Sequence, residues 1–288
     1  MKKILVAGGN GQLGKCLQKI STDFSDTLVF RFTDSSEMDI TDTSGISDVF
    51  DDFRPDYCIN ASAYTAVDLA ESEEEKAYRI NAEGVGNLAE KCSECNAVFI
   101  HISTDYVFDG ETEISYDEES FTNPKSVYGA SKLKGEELAL ENNSKSIVIR
   151  TSWLYSEFNK NFVKTMLQLF ETKEKLTIVA DQFGQPTNAN DLAEAIMEII
   201  SSPHKTFGIF HYSNYPETTW FDFAKKIAEI SSSDIVLEPI DTKGYPTAAK
   251  RPQRSTMDLT KIQEKYSIEP KHWEHSLQDC LEIILTKS

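Results

Sequence analysis

Tyr128-Gly129-Ala130-Ser131-Lys132 holds the residue pair best able to do chemistry in this chain. The segment follows Pro124 and reads as helix, and a spacing of four then puts a phenol and an ammonium on one helical face. A free tyrosine loses its proton near pH ~10; a nearby cation favours the phenolate, so the pair reads as a tuned general acid. Upstream, an apolar run ends in Ser103-Thr104-Asp105, which offers a hydroxyl and a carboxylate. If that run is a strand, both groups emerge at the carboxyl edge of a sheet, where open α/β sheets bind ligands.

A third feature lies at the N-terminus, where Ile4-Leu5-Val6-Ala7 runs into Gly8-Gly9-Asn10-Gly11-Gln12-Leu13-Gly14. Glycines at Gly8, Gly11 and Gly14 between a strand and a helix suit a dinucleotide: the first permits the tight turn, the second lets backbone approach a pyrophosphate, and the third allows close helix packing. Asp34 stands twenty residues after Gly14, near the place of an acid that binds the adenosine ribose, while Arg31 in the same segment can meet a 2′-phosphate. NADPH and NADH both stay open. Taken together, the three features describe hydride transfer at a carbon bearing oxygen. Tyr128 moves the proton, Thr104 holds the oxygen, and Lys132 tunes Tyr128 and binds the nicotinamide ribose.

The elements that must position these groups are legible as short apolar runs at Ile4–Ala7, Thr27–Phe32, Tyr57–Ala61, Ala97–Ser103 and Ile147–Thr151. Continuous runs of this kind suit strands buried on both faces. Between them Gln12–Ile20, Ile46–Phe53, Glu73–Cys92 and Lys125–Glu141 carry helical spacing. The alternation predicts an α/β fold, a Rossmann-like doubly wound parallel sheet with right-handed crossovers. After residue 150 the rhythm loosens. The expected organisation is a dinucleotide-binding domain over 1–150 and a smaller substrate-binding lobe over 151–288, with some segments returning to the first domain.

Composition bounds the partners. The 288 residues include 29 Lys+Arg against 47 Asp+Glu, a formal net charge of −18, which argues against a nucleic acid or an anionic membrane surface as partner. No apolar run approaches the ~20 residues of a membrane span. Met1-Lys2-Lys3 leads directly into a strand-like run and then glycines, unlike a signal peptide. Cys16, Cys58, Cys92, Cys95 and Cys280 are an odd number in a long chain, poor material for a disulfide framework, and they fit a cytoplasmic protein. Cys92 and Cys95 form a CxxC with no second pair to complete a zinc site.

The glycine spacing resembles the extended branch of the short-chain dehydrogenase/reductase superfamily. Nearly the whole chain then resembles one family within it, dTDP-4-dehydrorhamnose reductase. The phrases that carry the resemblance are Gly11-Gln12-Leu13-Gly14, Asp39-Ile40-Thr41-Asp42, Asn60-Ala61-Ser62-Ala63-Tyr64-Thr65-Ala66-Val67-Asp68 and Ser103 through Gly110. They continue in Tyr128 through Lys132, Arg150-Thr151-Ser152-Trp153-Leu154-Tyr155, Asp181 through Thr187, and Arg251-Pro252 with Ser255.

The resemblance implies that Gly11, Gln12 and Leu13 meet the pyrophosphate and that Asp39 and Ile40 flank the adenine. It implies further that Ala63, Tyr64 and Thr65 lie along the cofactor, with Gly8, Asn10 and Ala61 completing that set. Thr104, Asp105 and Trp153 then contact the sugar nucleotide, dTDP-4-dehydrorhamnose; the plainer role for Trp153 is core packing. Asn81 matches a polar residue recurrent in the superfamily, or bonds backbone only. Some family members dimerise around magnesium held by glutamates. Cys16 and Asn190 stand near those places here, and a thiol and an amide suit a hard cation poorly. The expectation is therefore no metal, and a monomer or a metal-independent homodimer. Related dehydratases carry Thr-Asp-Glu where Tyr106 follows Asp105 here, which counts against dehydration. A regulatory partner of methionine adenosyltransferase shares the family's neighbourhood, but Thr104, Tyr128 and Lys132 are intact.

Overall fold

A computed structural model describes residues 1–286. Strands β1 (Lys2–Ala7), β2 (Leu28–Thr33), β3 (Tyr57–Asn60), β4 (Val98–Thr104) and β5 (Ser146–Thr151) are the five apolar runs of the sequence, with ends displaced by one or two residues. Between them lie α1 (Gln12–Ser21), α2 (Thr43–Phe53), α3 (Val67–Ala70), α4 (Glu74–Tyr78), α5 (Gly84–Glu94) and α6 (Val127–Asn142). Strands β1, β3, β4 and β5 bury both faces, whereas β2, at the edge, leaves Val29 exposed. Ile4, Val6, Ile59, Ile100, Ile147 and Ile149 pack on one side, and Leu5, Ala7, Cys58, Phe99 and Val148 on the other, as the period of two demands.

The sheet is parallel and six-stranded, and a sixth strand at its edge, Gly208–His211, pairs with β5. Across the sheet the order is β2-β1-β3-β4-β5 and then that edge strand. The chain leaves β1 toward β2 and later returns to β3 on the opposite side, so the switch point falls at the carboxyl end of β1, where the glycine turn begins. The expected helix over Glu73–Cys92 is broken: α4 and α5 are joined by a π-helical turn, Arg79–Glu83. Periodicity alone cannot show an extra residue in one turn.

The remaining segments divide between two cores. A helix at Ala189–Ser201 packs Leu192, Ala193 and Ile196 beside α1, on the first face of the sheet. Phe162–Thr172, Trp220–Ile230 and Trp273–Thr286 enclose a separate cluster around Tyr155, Phe223, Trp273 and Leu277. A two-stranded parallel ribbon, Lys175–Val179 with Val236–Ile240, flanks that cluster.

Candidate active site

The carboxyl edge of the sheet opens into a cleft of about 520 Å³. Gly11, Gln12 and Leu13 line one end, Ala61, Ala63 and Thr65 the middle, and Thr104, Asp105, Tyr128, Lys132 and Trp153 the other end. Residues far apart in sequence are thus brought together because β1, β3, β4 and β5 run parallel and end side by side.

The glycine turn is shaped by close contacts. Gly8 has φ +84°, and a Cβ there would lie 2.8 Å from the Ser62 nitrogen. At Gly14 a Cβ would stand 2.3 Å from the Gly8 carbonyl oxygen, so this glycine lets α1 close onto the turn itself. Gly11 occupies the N-cap of α1 with no side-chain cap, which leaves the positive end of a ten-residue helix facing the cleft. This cradle of small residues and backbone donors fits a dinucleotide diphosphate. The side chain of Gln12 is committed elsewhere: its Nε2 donates to the Leu154 carbonyl at 3.1 Å, and its Oε1 accepts from Ser156 and Asn161.

Six expected cofactor residues lie outside the cleft lining. Gly8 builds the turn from behind. Asn10 donates to Asp34 Oδ2 at 2.5 Å, which fixes the acid at the end of β2 beside the glycine turn. Arg31 is not brought to the cleft: it lies inside β2 and pairs at 2.6 Å with Asp52, near the far end of α2. Asp39 is spent on its own turn, accepting from the Thr41 N–H and hydroxyl at 2.9 Å. Ile40 points into the core beneath α5, against Gly84. Tyr64 turns its ring away, and its hydroxyl donates to Glu73 at 2.9 Å.

Asn81 explains how the loop after β3 is held. From the π-helical turn its Oδ1 accepts from the Tyr64 N–H (2.8 Å), and its Nδ2 donates to the Tyr64 carbonyl (3.1 Å) and the Ser131 hydroxyl (3.0 Å). It bonds backbone as the plainer reading had it, and in addition ties that loop to α6.

At the other end, Ser126 caps α6 by accepting from the Gly129 N–H at 3.1 Å. A Cβ at Gly129 would fall 2.2 Å from the Tyr106 carbonyl oxygen, so this glycine lets the helix start against the end of β4 and sets Tyr128 beside Thr104. The Thr104 hydroxyl donates to Asp105 Oδ1 at 3.1 Å and accepts from the Tyr106 N–H. Asp105 is buried, its Oδ2 has no hydrogen-bond partner, and burial pushes its carboxyl up to about 6 against the Ser255 and Thr104 hydroxyls.

The tyrosine–lysine pair departs from expectation in its electrostatics. Burial pushes the Tyr128 phenol up to about 12, with Thr104 favouring the phenolate and Asp105 opposing it. Lys132 Nζ does not meet the phenol: it donates to the Ile102 carbonyl at 2.6 Å and approaches His101 Nε2 at 3.3 Å. A fully buried ammonium must have an acceptor, and the Ile102 carbonyl at the end of β4 supplies one. Burial lowers Lys132 to about 8, against the pull of Glu136.

Trp153, with φ +47°, stacks on Trp220 at 3.6 Å between ring centroids and lies against Gly184. It both packs and lines the cleft. Trp220, Asn159 and Asn161 also line it, and nothing in their spacing along the sequence marks them.

A family model described as the RmlD substrate binding domain matches residues 1–286, and a dTDP-4-dehydrorhamnose reductase of Aggregatibacter actinomycetemcomitans is 42% identical over 97% of this chain and 98% of its own length. The chain belongs to the dTDP-4-dehydrorhamnose reductase family. Two solved structures of dTDP-4-dehydrorhamnose reductases share its form. One is from Clostridium acetobutylicum (37% identity, TM-score 0.94, 98% of this chain and 99% of that one). The other is from Bacillus anthracis and was solved in complex with NADP (37% identity, TM-score 0.94, 98% and 100%).

At the two positions weighed for a bridging cation, Cys16 is fully buried, and burial pushes its thiol up to about 12. Asn190 Nδ2 donates to Glu157 Oε2 at 2.8 Å, and Lys19 Nζ sits between Glu157 Oε1 (2.8 Å) and Asn190 Oδ1 (3.2 Å). Lys19 thus occupies Glu157 Oε1 and Asn190 Oδ1, and the Asn190 amide occupies Glu157 Oε2.

Proposed function

We propose that this chain reduces the C4 keto group of dTDP-4-dehydro-β-L-rhamnose to give dTDP-β-L-rhamnose, with NADPH or NADH as reductant, in the cytoplasm. The observation that carries the reading is the meeting of Thr104, Tyr128 and Trp153 at one end of a cleft whose other end is the glycine turn. The names of the relatives and the NADP held by the Bacillus anthracis enzyme support it.

A bound nicotinamide supplies hydride to the carbonyl carbon. Gly11, Gln12 and Leu13 hold the diphosphate through backbone N–H groups, and Ala61, Ala63 and Thr65 line its path. The Thr104 hydroxyl orients the sugar oxygen, and Tyr128 gives that oxygen its proton. Lys132 binds the nicotinamide ribose. Asp105 and Trp153 contact the sugar nucleotide, in a lobe contributed mainly by residues after 150. Dehydration is disfavoured because the position after Asp105 carries no carboxylate: the Tyr106 ring packs edge-on against Tyr128 at 5.6 Å.

The test is loss of reduced-nicotinamide absorbance on adding freshly generated dTDP-4-keto-L-rhamnose, run with NADPH and NADH, followed by identification of the sugar. dTDP-L-rhamnose as product is the expected result. Absence of oxidation by protein that binds cofactor would sink the reading and favour a related hexose or a regulatory role. For assembly we propose a monomer or a metal-independent homodimer. Sedimentation should be the same in magnesium and in chelator, and a magnesium-dependent shift would overturn this.

A further inference from the structure

Beneath the cleft, a chain of buried hydrogen bonds runs from the loop after β3 to Lys132, and its donors and acceptors can be assigned from one fixed point. The Ser62 backbone N–H can only donate, and it donates to Asn60 Oδ1 at 3.0 Å. That orients the Asn60 amide, so its Nδ2, also only a donor, faces His101 Nδ1 at 3.2 Å. Asn60 and His101 are direct cross-strand partners on β3 and β4, and both are fully buried. His101 Nδ1 must therefore accept.

A neutral imidazole that accepts at Nδ1 carries its hydrogen on Nε2. Burial, the largest cause, holds His101 well below its ordinary value of 6.5, so the ring stays neutral. Nε2–H then points at Lys132 Nζ, 3.3 Å away. An ammonium has only hydrogens to offer, whereas a neutral amine has a lone pair that Nε2–H can meet.

We propose that His101 is a positioning residue that biases Lys132 toward its neutral amine, through an imidazole proton pinned on Nε2 by the Ser62–Asn60 pair. Other charged and titratable groups near the lysine are accounted for. Glu136 on α6 favours the ammonium but is bridged by Arg150 of β5 at 2.7 Å and accepts from the Ser103 hydroxyl. Tyr128 stands one turn earlier on α6, and Asp105 acts on Tyr128. Arg150 continues to His211 at 3.4 Å. None of these supplies an acceptor that would reverse the tautomer of His101, whose second face stacks on Phe99.

The consequence for the site rests on the reductase reading: the alkaline limb of kcat/KM should follow Lys132. The tautomer and the titration themselves require no substrate. In ¹⁵N-histidine-labelled full-length protein, the His101 signals, assigned by their loss in His101→Gln, should show the Nε2–H tautomer from pH 5 to 9. An Nδ1–H tautomer in the unaltered protein would overturn the proposal. Asn60→Asp supplies a carboxylate that accepts from both Ser62 N–H and Nδ1–H, so the proton should move to Nδ1. The Lys132 midpoint, read from its ¹³Cε shift and assigned by Lys132→Met, should rise by ~1 unit in Asn60→Asp and in the uncharged His101→Gln. An unmoved midpoint in His101→Gln sinks the idea even if Asn60→Asp fails to fold. If these shifts appear while no dTDP sugar is reduced, the reductase reading fails and the His101 assignment stands.

Discussion

In the proposed reduction Tyr128 meets the sugar oxygen as a phenol. With its proton held up to about 12, it is almost wholly protonated at neutrality, which is the form that reduction needs. The acceptor is an oxygen turning into an alkoxide, whose conjugate acid resembles water at ~15.7, so the transfer remains downhill. Tyr128→Phe should lower turnover by ~10²–10⁴ with cofactor still bound. A near-wild-type rate would remove Tyr128 from the mechanism. Asp105 gives a pH signature. Its carboxyl binds a proton more tightly in the folded chain, at about 6, than at its ordinary value of 3.8, so stability falls as pH rises through that window and the deficit persists above it. Asp105→Asn should therefore be more stable than the parent at pH 7, by ~3 kcal/mol at most, and equal to it below pH ~4. Urea unfolding at the two pH values checks the sign.

At the scale of elements, the turn between β1 and α1 tolerates no added atom. Gly14→Ala puts a methyl against the Gly8 and Gly9 carbonyls, and the helix must move away from the turn that aims its N-terminus. Dinucleotide affinity should fall by ~1.4 kcal/mol or more, a factor of ten, in a fluorescence titration. Unchanged affinity would mean that the diphosphate is held elsewhere. The π-helical turn acts by similar means: it places Asn81 where a regular helix would not, and so fixes the loop that forms the middle of the cleft.

Across the whole molecule, the segment from Lys243 to Arg254 is tied back to the first half of the chain. Arg251 makes two contacts with Asp68 of α3, at 2.7 and 3.1 Å, and Asp68 also accepts from the Ala249 N–H. Arg251 holds the Asp68 carboxyl below its ordinary value. Val67, next to Asp68, lines the cleft, so this clasp joins the C-terminal strap to the rim of the site. Arg251→Ala should leave the core intact and speed proteolytic cleavage between residues 243 and 254 by ~3–10-fold. Cleavage at the parent rate would show that the strap is held by its other contacts.

The sequence by itself determined the sheet, the glycine turn and the placing of Tyr128 and Lys132 on one helix after Thr104, because each rests on local physics. Strands buried on both faces must be continuously apolar, a pyrophosphate turn must lack side chains, and a helical spacing of four starts a phenol and an amine from one helical face. Tertiary structure alone decided the rest. Gly208–His211 joins the sheet through pairing with β5, and its short run carries no distinctive pattern. Arg31 is taken by Asp52 and Ile40 by the core, which no count along the chain foretells. Trp153 finds Trp220 from 67 positions away. Lys132 shows the division most plainly: its distance from Tyr128 along the helix is a sequence property. Which way its amine turns depends on the Ile102 carbonyl at the end of β4, which comes within reach only once the strand and the helix have packed.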